Sequence, residues 1–124
     1  MPEDQIILDF GSFSLEAELF ESVIASKFAE NLPCTVNLVK WGGELYGSIG
    51  IDLGEDSPVP EIPPGGIAYT NNGNYICLFF GQTPAWPVEY IGHVKGDAWR
   101  VLPGKGDLTS VTIKLKPRHC RAGI

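Results

Sequence analysis

Along this chain, apolar and polar positions alternate with period two far more often than with the 3.6-residue period of a helix. Ile6, Leu8 and Phe10 share one face of a short segment, and Phe13, Leu15, Ala17 and Leu19 repeat the pattern straight after it. Successive strand side chains point to opposite faces, so this alternation predicts strands. Gly11-Ser12 between the two segments is a two-residue turn signal, and the chain is predicted to open with a β-hairpin. The period then changes. Ile24, Phe28 and Leu32 recur at four-residue spacing behind Ser22, whose hydroxyl suits an N-cap. One amphipathic helix of about three turns is expected there, ended by Pro33, which supplies no amide hydrogen.

Strand patterning resumes at Thr35 and runs to Trp41, followed by a Gly42-Gly43 turn and a strand from Leu45 to Ile51. Residues Asp52 to Gly66 carry Pro58, Pro60, Pro63 and Pro64 and read as a stiff loop of the kind that borders sites. Gly66–Thr70 and Tyr75–Phe80 form a second predicted hairpin around Asn71-Asn72-Gly73-Asn74, whose Asn and Gly tolerate the positive φ of tight turns. Gln82–Pro87 reads as a loop. Tyr90–Val94 and Ala98–Leu102 read as short strands, and Val111, Ile113 and Leu115 alternate with polar residues in a closing strand. Many short strands and one helix, without internal repeat or linker, predict a single mainly β domain over residues 1–124, a barrel or sandwich.

Length and composition agree with one globular core. A chain of 124 residues with 44% hydrophobic and 19% charged residues buries roughly two thirds of its unfolded surface. Nine Lys and Arg against fifteen Asp and Glu give a net charge of −6, which disfavours nucleic acid as a partner. From Arg100 onward the balance reverses. Lys105, Lys114, Lys116, Arg118 and Arg121 stand against Asp107 alone and read as a solvated strand face. Cys34, Cys77 and Cys120 are odd in number and lack C-x-x-C spacing; the first two sit in apolar runs and read as buried thiols. The acidic Met1-Pro2-Glu3-Asp4 opening predicts neither a signal peptide nor a membrane span, and a reducing cytoplasm is the expected compartment.

The order of elements has a likeness. A hairpin, a helix ending in Glu-Asn-Leu-Pro, a strand ending at Trp41, then Gly66-Ile67-Ala68-Tyr69 and Gly73-Asn74-Tyr75-Ile76-Cys77-Leu78-Phe79-Phe80-Gly81-Gln82-Thr83-Pro84 follow one another. This resembles the small prokaryotic cyclophilin-like proteins over nearly the whole chain, most specifically over 65–84. The resemblance implies a closed barrel of about eight strands. Cyclophilins themselves are peptidyl-prolyl isomerases whose signature sets an arginine and aromatic residues shortly before Gln-Gly-Gly-Asp-Phe. That arginine is placed to hydrogen-bond the prolyl nitrogen and weaken the resonance behind the ~20 kcal/mol rotation barrier. The matching stretch here is Val59-Pro60-Glu61-Ile62-Pro63-Pro64-Gly65-Gly66-Ile67-Ala68-Tyr69; the glutamine position reads Pro64, and no arginine lies between Lys40 and Lys95. An atypical isomerase would have to recruit an arginine such as Arg100 from another element.

Other chemistries find no pattern. Gly104-Lys105-Gly106 lacks the third glycine of a dinucleotide loop, and Gly47-Ser48-Ile49-Gly50 lacks the spacing of a nucleophile elbow. His93 and His119 read as structural. His119-Cys120 and the Asp52, Glu55, Asp56 carboxylates do not match a metal site. No cofactor and no metal are expected. The aromatic residues are more informative, because Trp41, Tyr46, Tyr69, Tyr75, Phe79, Phe80 and Trp86 are too many for so small a core. Phe79 and Phe80, being adjacent, must face opposite ways. Trp86 and Gln82 on the loop after that strand lead the ligand candidates. Glu61 and Tyr69 follow, because the resemblance puts their segment at the cyclophilin cleft; Tyr46, Phe79 and Phe80 complete the set. The expected function is a binding domain that takes a peptide or small molecule in the cleft beside the 65–84 hairpin. The runner-up is an atypical isomerase. A third class is a subunit-interaction module presenting the basic closing strand.

Overall fold

A computed structural model of the chain describes residues 4–105 and 108–116. Nine strands form one sheet: β1 (Asp4–Asp9), β2 (Ser14–Leu19), β3 (Cys34–Asn37), β4 (Val39–Trp41), β5 (Glu44–Ser48), β6 (Gly66–Thr70), β7 (Tyr75–Phe79), β8 (Glu89–Val94) and β9 (Ser110–Leu115). A helix, α1 (Val23–Ala29), and a 3-10 segment, Ala98–Gly104, complete the described elements. The strands lie in the order β3-β9-β1-β2-β8-β6-β7-β5-β4, and every named pair is antiparallel.

The alternation in the opening hairpin fixes its register. Ile6 lies opposite Ala17 and Leu8 opposite Leu15, all buried, while Ile7 opposes Glu16 on the other face. A one-residue slip would turn this apolar set to solvent, so the pairing is strongly specified. The loop is closed by Phe10 N–H donating to the Phe13 carbonyl at 2.9 Å. Helix α1 is shorter than its spacing suggests, seven residues and about two turns. Ser22 Oγ accepts from Ala25 N–H at 3.2 Å at its start, and Ile24, Ala25 and Phe28 are its buried face. Leu32 belongs to a turn beyond the helix rather than to a third helical turn.

The stretch read as one strand from Thr35 to Trp41 is two strands, broken at Leu38. Its first half pairs with β9 and its second with β5, the strands next to the two ends of the sheet. One short run of chain therefore ties both ends together and closes the barrel. Leu38 N–H donates to Thr109 O at 2.8 Å at the break. Gly47 makes the closure sterically possible: a Cβ there would collide with the Asn37 carbonyl oxygen and Val36 Cγ1. A second correction concerns Ala98–Leu102, which is part of the 3-10 segment and not a strand. Only Leu102 of it is buried, and Pro103 and Gly104 follow at once, so there is no apolar face for a sheet to bury.

The core lies on both sides of the sheet in the second half of the chain. Inside the barrel, Ile67, Tyr69, Ile76, Leu78 and Phe80 join Leu8, Leu19, Phe28, Val36 and Val94. Outside it, Ala68, Cys77 and Phe79 pack with Ile62 and Val88. Two long loops cover this outer face, and they are tied to each other by the Val59–Val88 bridge, with N–H···O distances of 2.8 and 2.9 Å.

Candidate functional site

The site arises from the alternation of β5 and β7. Across these strands Glu44 lies opposite Phe79 and Tyr46 opposite Cys77. Leu45, Ile76 and Leu78 point into the barrel, so Glu44, Tyr46, Tyr75, Cys77 and Phe79 project outward together. The Gly42-Gly43 turn sets Trp41 opposite Glu44, extending the same face to β4. The loop carrying Pro84, Ala85 and Trp86 arches over it. Between floor and arch is a cavity of about 320 Å³, lined also by Thr70 and Val88. That volume is at the small end of ligand pockets.

Each wall has an identifiable support. The Trp86 indole N–H donates to Thr70 Oγ1 at 3.0 Å, which fixes the ring at the rim while leaving it 42% exposed. Trp41, 53% exposed, stands across from it. Tyr46 and Tyr75 contact each other with ring centroids 5.2 Å apart. Gln82 Oε1 accepts from Gly43 N–H at 3.0 Å, and Phe80 N–H donates to Gly43 O at 2.8 Å, so the β4–β5 turn is pinned from both sides.

Among the described residues Glu44 is the one acid on the cavity, and it is only 6% exposed. Its side-chain partner is the Cys77 thiol, a weak donor. Burial raises the Glu44 carboxyl above its ordinary range, and the Cys77 hydrogen bond opposes this only in part. Burial together with the neighbouring carboxylate pushes the Cys77 thiol far above its ordinary range. Cys77 is thus a thiol and not a thiolate at neutral pH, a hydrogen-bond donor without nucleophilic character.

Of the residues singled out from sequence, Tyr46, Phe79 and Trp86 meet on this cavity. Gln82 braces the turn beside it. Phe80 joins the buried cluster inside the barrel, and the exposed Lys40 sets its ammonium 5.9 Å from the ring centroid. Tyr69 is fully buried in the barrel; its hydroxyl accepts from Leu53 N–H and donates to Ile51 O, both at 2.9 Å. It is a strut for the long loop. Glu61 is exposed on that loop, away from the cavity lining. Glu89 does the loop's other anchoring, accepting from Asp56 N–H at 2.8 Å and Ser57 N–H at 3.0 Å.

The remaining motifs resolve as follows. Arg100 is exposed, pairs with Asp97 at 3.3 Å and does not line the cavity. His93 Nδ1 lies 3.1 Å from the Tyr90 hydroxyl, also off the cavity. Asp52 Oδ1 accepts from Gly54 N–H at 2.8 Å within a turn, and no group of three metal-ligating side chains occurs among the described residues. Lys95 and Lys116 flank Glu16 at 3.6 and 3.3 Å, and Lys114 faces Asp9 at 3.8 Å, all partly exposed. Arg118, His119, Cys120 and Arg121 lie outside the described residues. No described helix is long and apolar enough to cross a membrane. Reading residue types alone missed Glu44, Cys77 and Thr70. The usable signal was local: a tight Gly42-Gly43 turn places Trp41 opposite Glu44, and alternation then adds Tyr46.

This architecture has solved counterparts. A hypothetical protein of Archaeoglobus fulgidus, AF2241, is 27% identical, with a TM-score of 0.75 over 90% of this chain and 94% of its own. The structure of McbB in complex with tryptophan superposes with a TM-score of 0.72 at 14% identity, over 94% of this chain but 46% of McbB. No curated protein matches the chain in sequence. The cyclophilin-like family profile matches residues 4–114, nearly the whole of the barrel and both loops that roof the cavity. With fold, element order and family profile in agreement, the chain belongs to the cyclophilin-like family.

Proposed function

We propose that this protein is a cyclophilin-like binding domain that holds a small molecule or short peptide in the outer-face cavity beside the β6–β7 hairpin, without prolyl-isomerase chemistry. The observation that carries this reading is the composition of the cavity: among the described residues its lining is apolar and aromatic, with one buried acid and no arginine. An isomerase needs a donor aimed at the prolyl nitrogen, and the groups here do not supply an arginine for it. A cavity of this size with a few polar groups on aromatic walls suits retention of a ligand. McbB, 46% of which superposes on this fold, was solved in complex with tryptophan, and a compact ligand is proposed for this cavity over an extended chain. Neither nucleic acid nor a membrane is the partner in this reading. The free Cys34 and Cys77 fit a cytoplasmic setting.

The test pairs two measurements. A ligand-observed NMR screen of small amines, acids, alcohols and short peptides should yield binders whose signals respond less to Trp86→Ala than to wild type. Exchange NMR on an X-Pro peptide should show no acceleration by wild type or Arg100→Ala. Acceleration by wild type would overturn the reading in favour of an isomerase, and its loss in Arg100→Ala would identify the arginine responsible.

A further inference from the structure

We propose that the cavity selects an organic cation: an ammonium carried on a compact apolar group, paired with Glu44 and walled by Trp41, Tyr46, Tyr75, Phe79 and Trp86. The inference rests on the binding reading above and names the ligand class of that same site.

The argument starts with the misfit of Glu44. A carboxylate is seldom buried unless paired, because the site must replace its hydration. Glu44 is more than nine-tenths buried, yet no Lys, Arg or His ion-pairs with it among the described residues, and its side-chain partner is a thiol. The surroundings supply no compensating charge. The described residues that share the cavity with Glu44, from β4, β5, β6, β7 and the arch, include none that is cationic. The nearest lysine in sequence, Lys40, reaches the other side of β4, towards the Phe80 ring and the Lys105 carbonyl. The acid therefore opens onto the cavity and has no counter-charge among the described residues.

The aromatic walls point the same way. A ring face carries negative potential and attracts an ammonium, most strongly where water is excluded. Five aromatic side chains would also hold a neutral apolar ligand, but only for a cation do the rings and the carboxylate attract the same group. For an anion the site is repulsive. A metal ion is a poor fit, since one carboxylate and a protonated thiol do not make a coordination shell. The molecule's net charge of −6 adds a general attraction for cations.

The test uses a matched set on the full chain: 2-phenylethylamine, its N,N,N-trimethyl derivative, 2-phenylethanol and 3-phenylpropanoate, by calorimetry or NMR titration. The amine is expected to bind at least tenfold more tightly than the alcohol, with the propanoate weakest. Glu44→Gln should abolish that tenfold preference, lowering the amine's affinity far more than the alcohol's. Should Glu44→Gln fold poorly, wild type still decides. The amine's affinity should fall as pH is lowered through the titration of Glu44, while that of the alcohol stays level. Comparable binding of alcohol and amine, indifferent to Glu44→Gln and to pH, would overturn the cation inference and leave the binding cavity standing. If no member of the set binds and no compound from the wider screen does either, both readings fail together. Preference for the trimethyl derivative over the primary amine supports the same class, with the ring faces and not a hydrogen bond setting the choice.

Discussion

The Trp86 indole N–H donates to Thr70 Oγ1 across 16 residues of chain, and this bond joins the roof of the cavity to its floor at 3.0 Å. Thr70 sits at the end of β6, a strand buried along its whole length, so it is a fixed anchor. The arch is otherwise built of Pro84, Ala85 and Pro87, which contribute little that would orient an indole. Thr70→Val keeps the shape of the side chain and removes the acceptor. Thr70 Oγ1 also accepts from Asn72 N–H at 3.1 Å in the β6–β7 turn, so two donors lose their partner; both are only part-buried and water can replace it, and the stability change should be about 1–2 kcal/mol. The effect should appear in binding: affinity for any cavity ligand weakens several-fold, with Trp86 fluorescence shifted towards that of a solvated indole. Unchanged affinity with a displaced Trp86 spectrum would show that the ring is not a wall.

Glu44 should make stability depend on pH in an unusual direction. Its carboxyl titrates higher in the folded protein than in the unfolded chain, because burial disfavours the charged form. Between those two values the folded state binds more protons, so stability falls as pH rises through the window. Above the folded value the whole penalty is present. Urea midpoints measured from pH 4 to pH 8 should show wild type losing stability relative to Glu44→Gln as pH rises. The two should converge at the acid end. Parallel curves would mean that Glu44 is solvated in the folded state.

The long loop hangs on Tyr69. Its hydroxyl accepts from the buried Leu53 N–H and donates to Ile51 O, from a side chain otherwise sealed in the barrel. Tyr69→Phe keeps the ring and strands the amide of Leu53. The expected cost is about 1–3 kcal/mol, the range for an unsatisfied buried donor. Faster hydrogen exchange at Leu53 and earlier proteolysis within 51–58 should accompany it, with the β1–β2 hairpin unaffected.

The barrel seam should be the least forgiving position. A methyl group at Gly47 meets the backbone carbonyl of Asn37, which has no rotamer by which to move aside. Gly47→Ala is expected to cost at least about 2 kcal/mol, since overpacking against backbone forces the strands apart. Gly50→Ala makes a useful contrast. That glycine has φ +75° and open space around it, so its cost is conformational and nearer ~1 kcal/mol. Denaturant unfolding of the pair separates a steric seam from a strained turn.

Much of the fold was legible because local patterns agreed with global ones. The β1–β2 and β6–β7 hairpins follow from alternation plus turn residues, and both registers match it. Helix α1 was legible from its cap, although its length was not, because Leu32 packs on the core from a turn. The break at Leu38 was invisible: Thr35 to Trp41 is uniformly suited to strand, and the change of partner is decided by barrel closure. Ala98–Leu102 misled because period two over five residues is a weak signal when only Leu102 is buried. In the site, Tyr46, Phe79 and Trp86 could be guessed as surplus aromatics. Glu44 could not, since an acid in a strand normally faces water; its burial comes from an arch forty residues further along the chain.

The alternation of β7, with Ile76 and Leu78 turned inward and Tyr75, Cys77 and Phe79 outward, has an evolutionary consequence. The residues that hold the barrel and those that face the ligand occupy alternate positions of the same strands. Selection can therefore rewrite one set while conserving the other, and a lineage can exchange its ligand without risking its architecture. Descendants of a common barrel are then expected to diverge first at these outward positions, so shared ancestry is a poor guide to what each one binds.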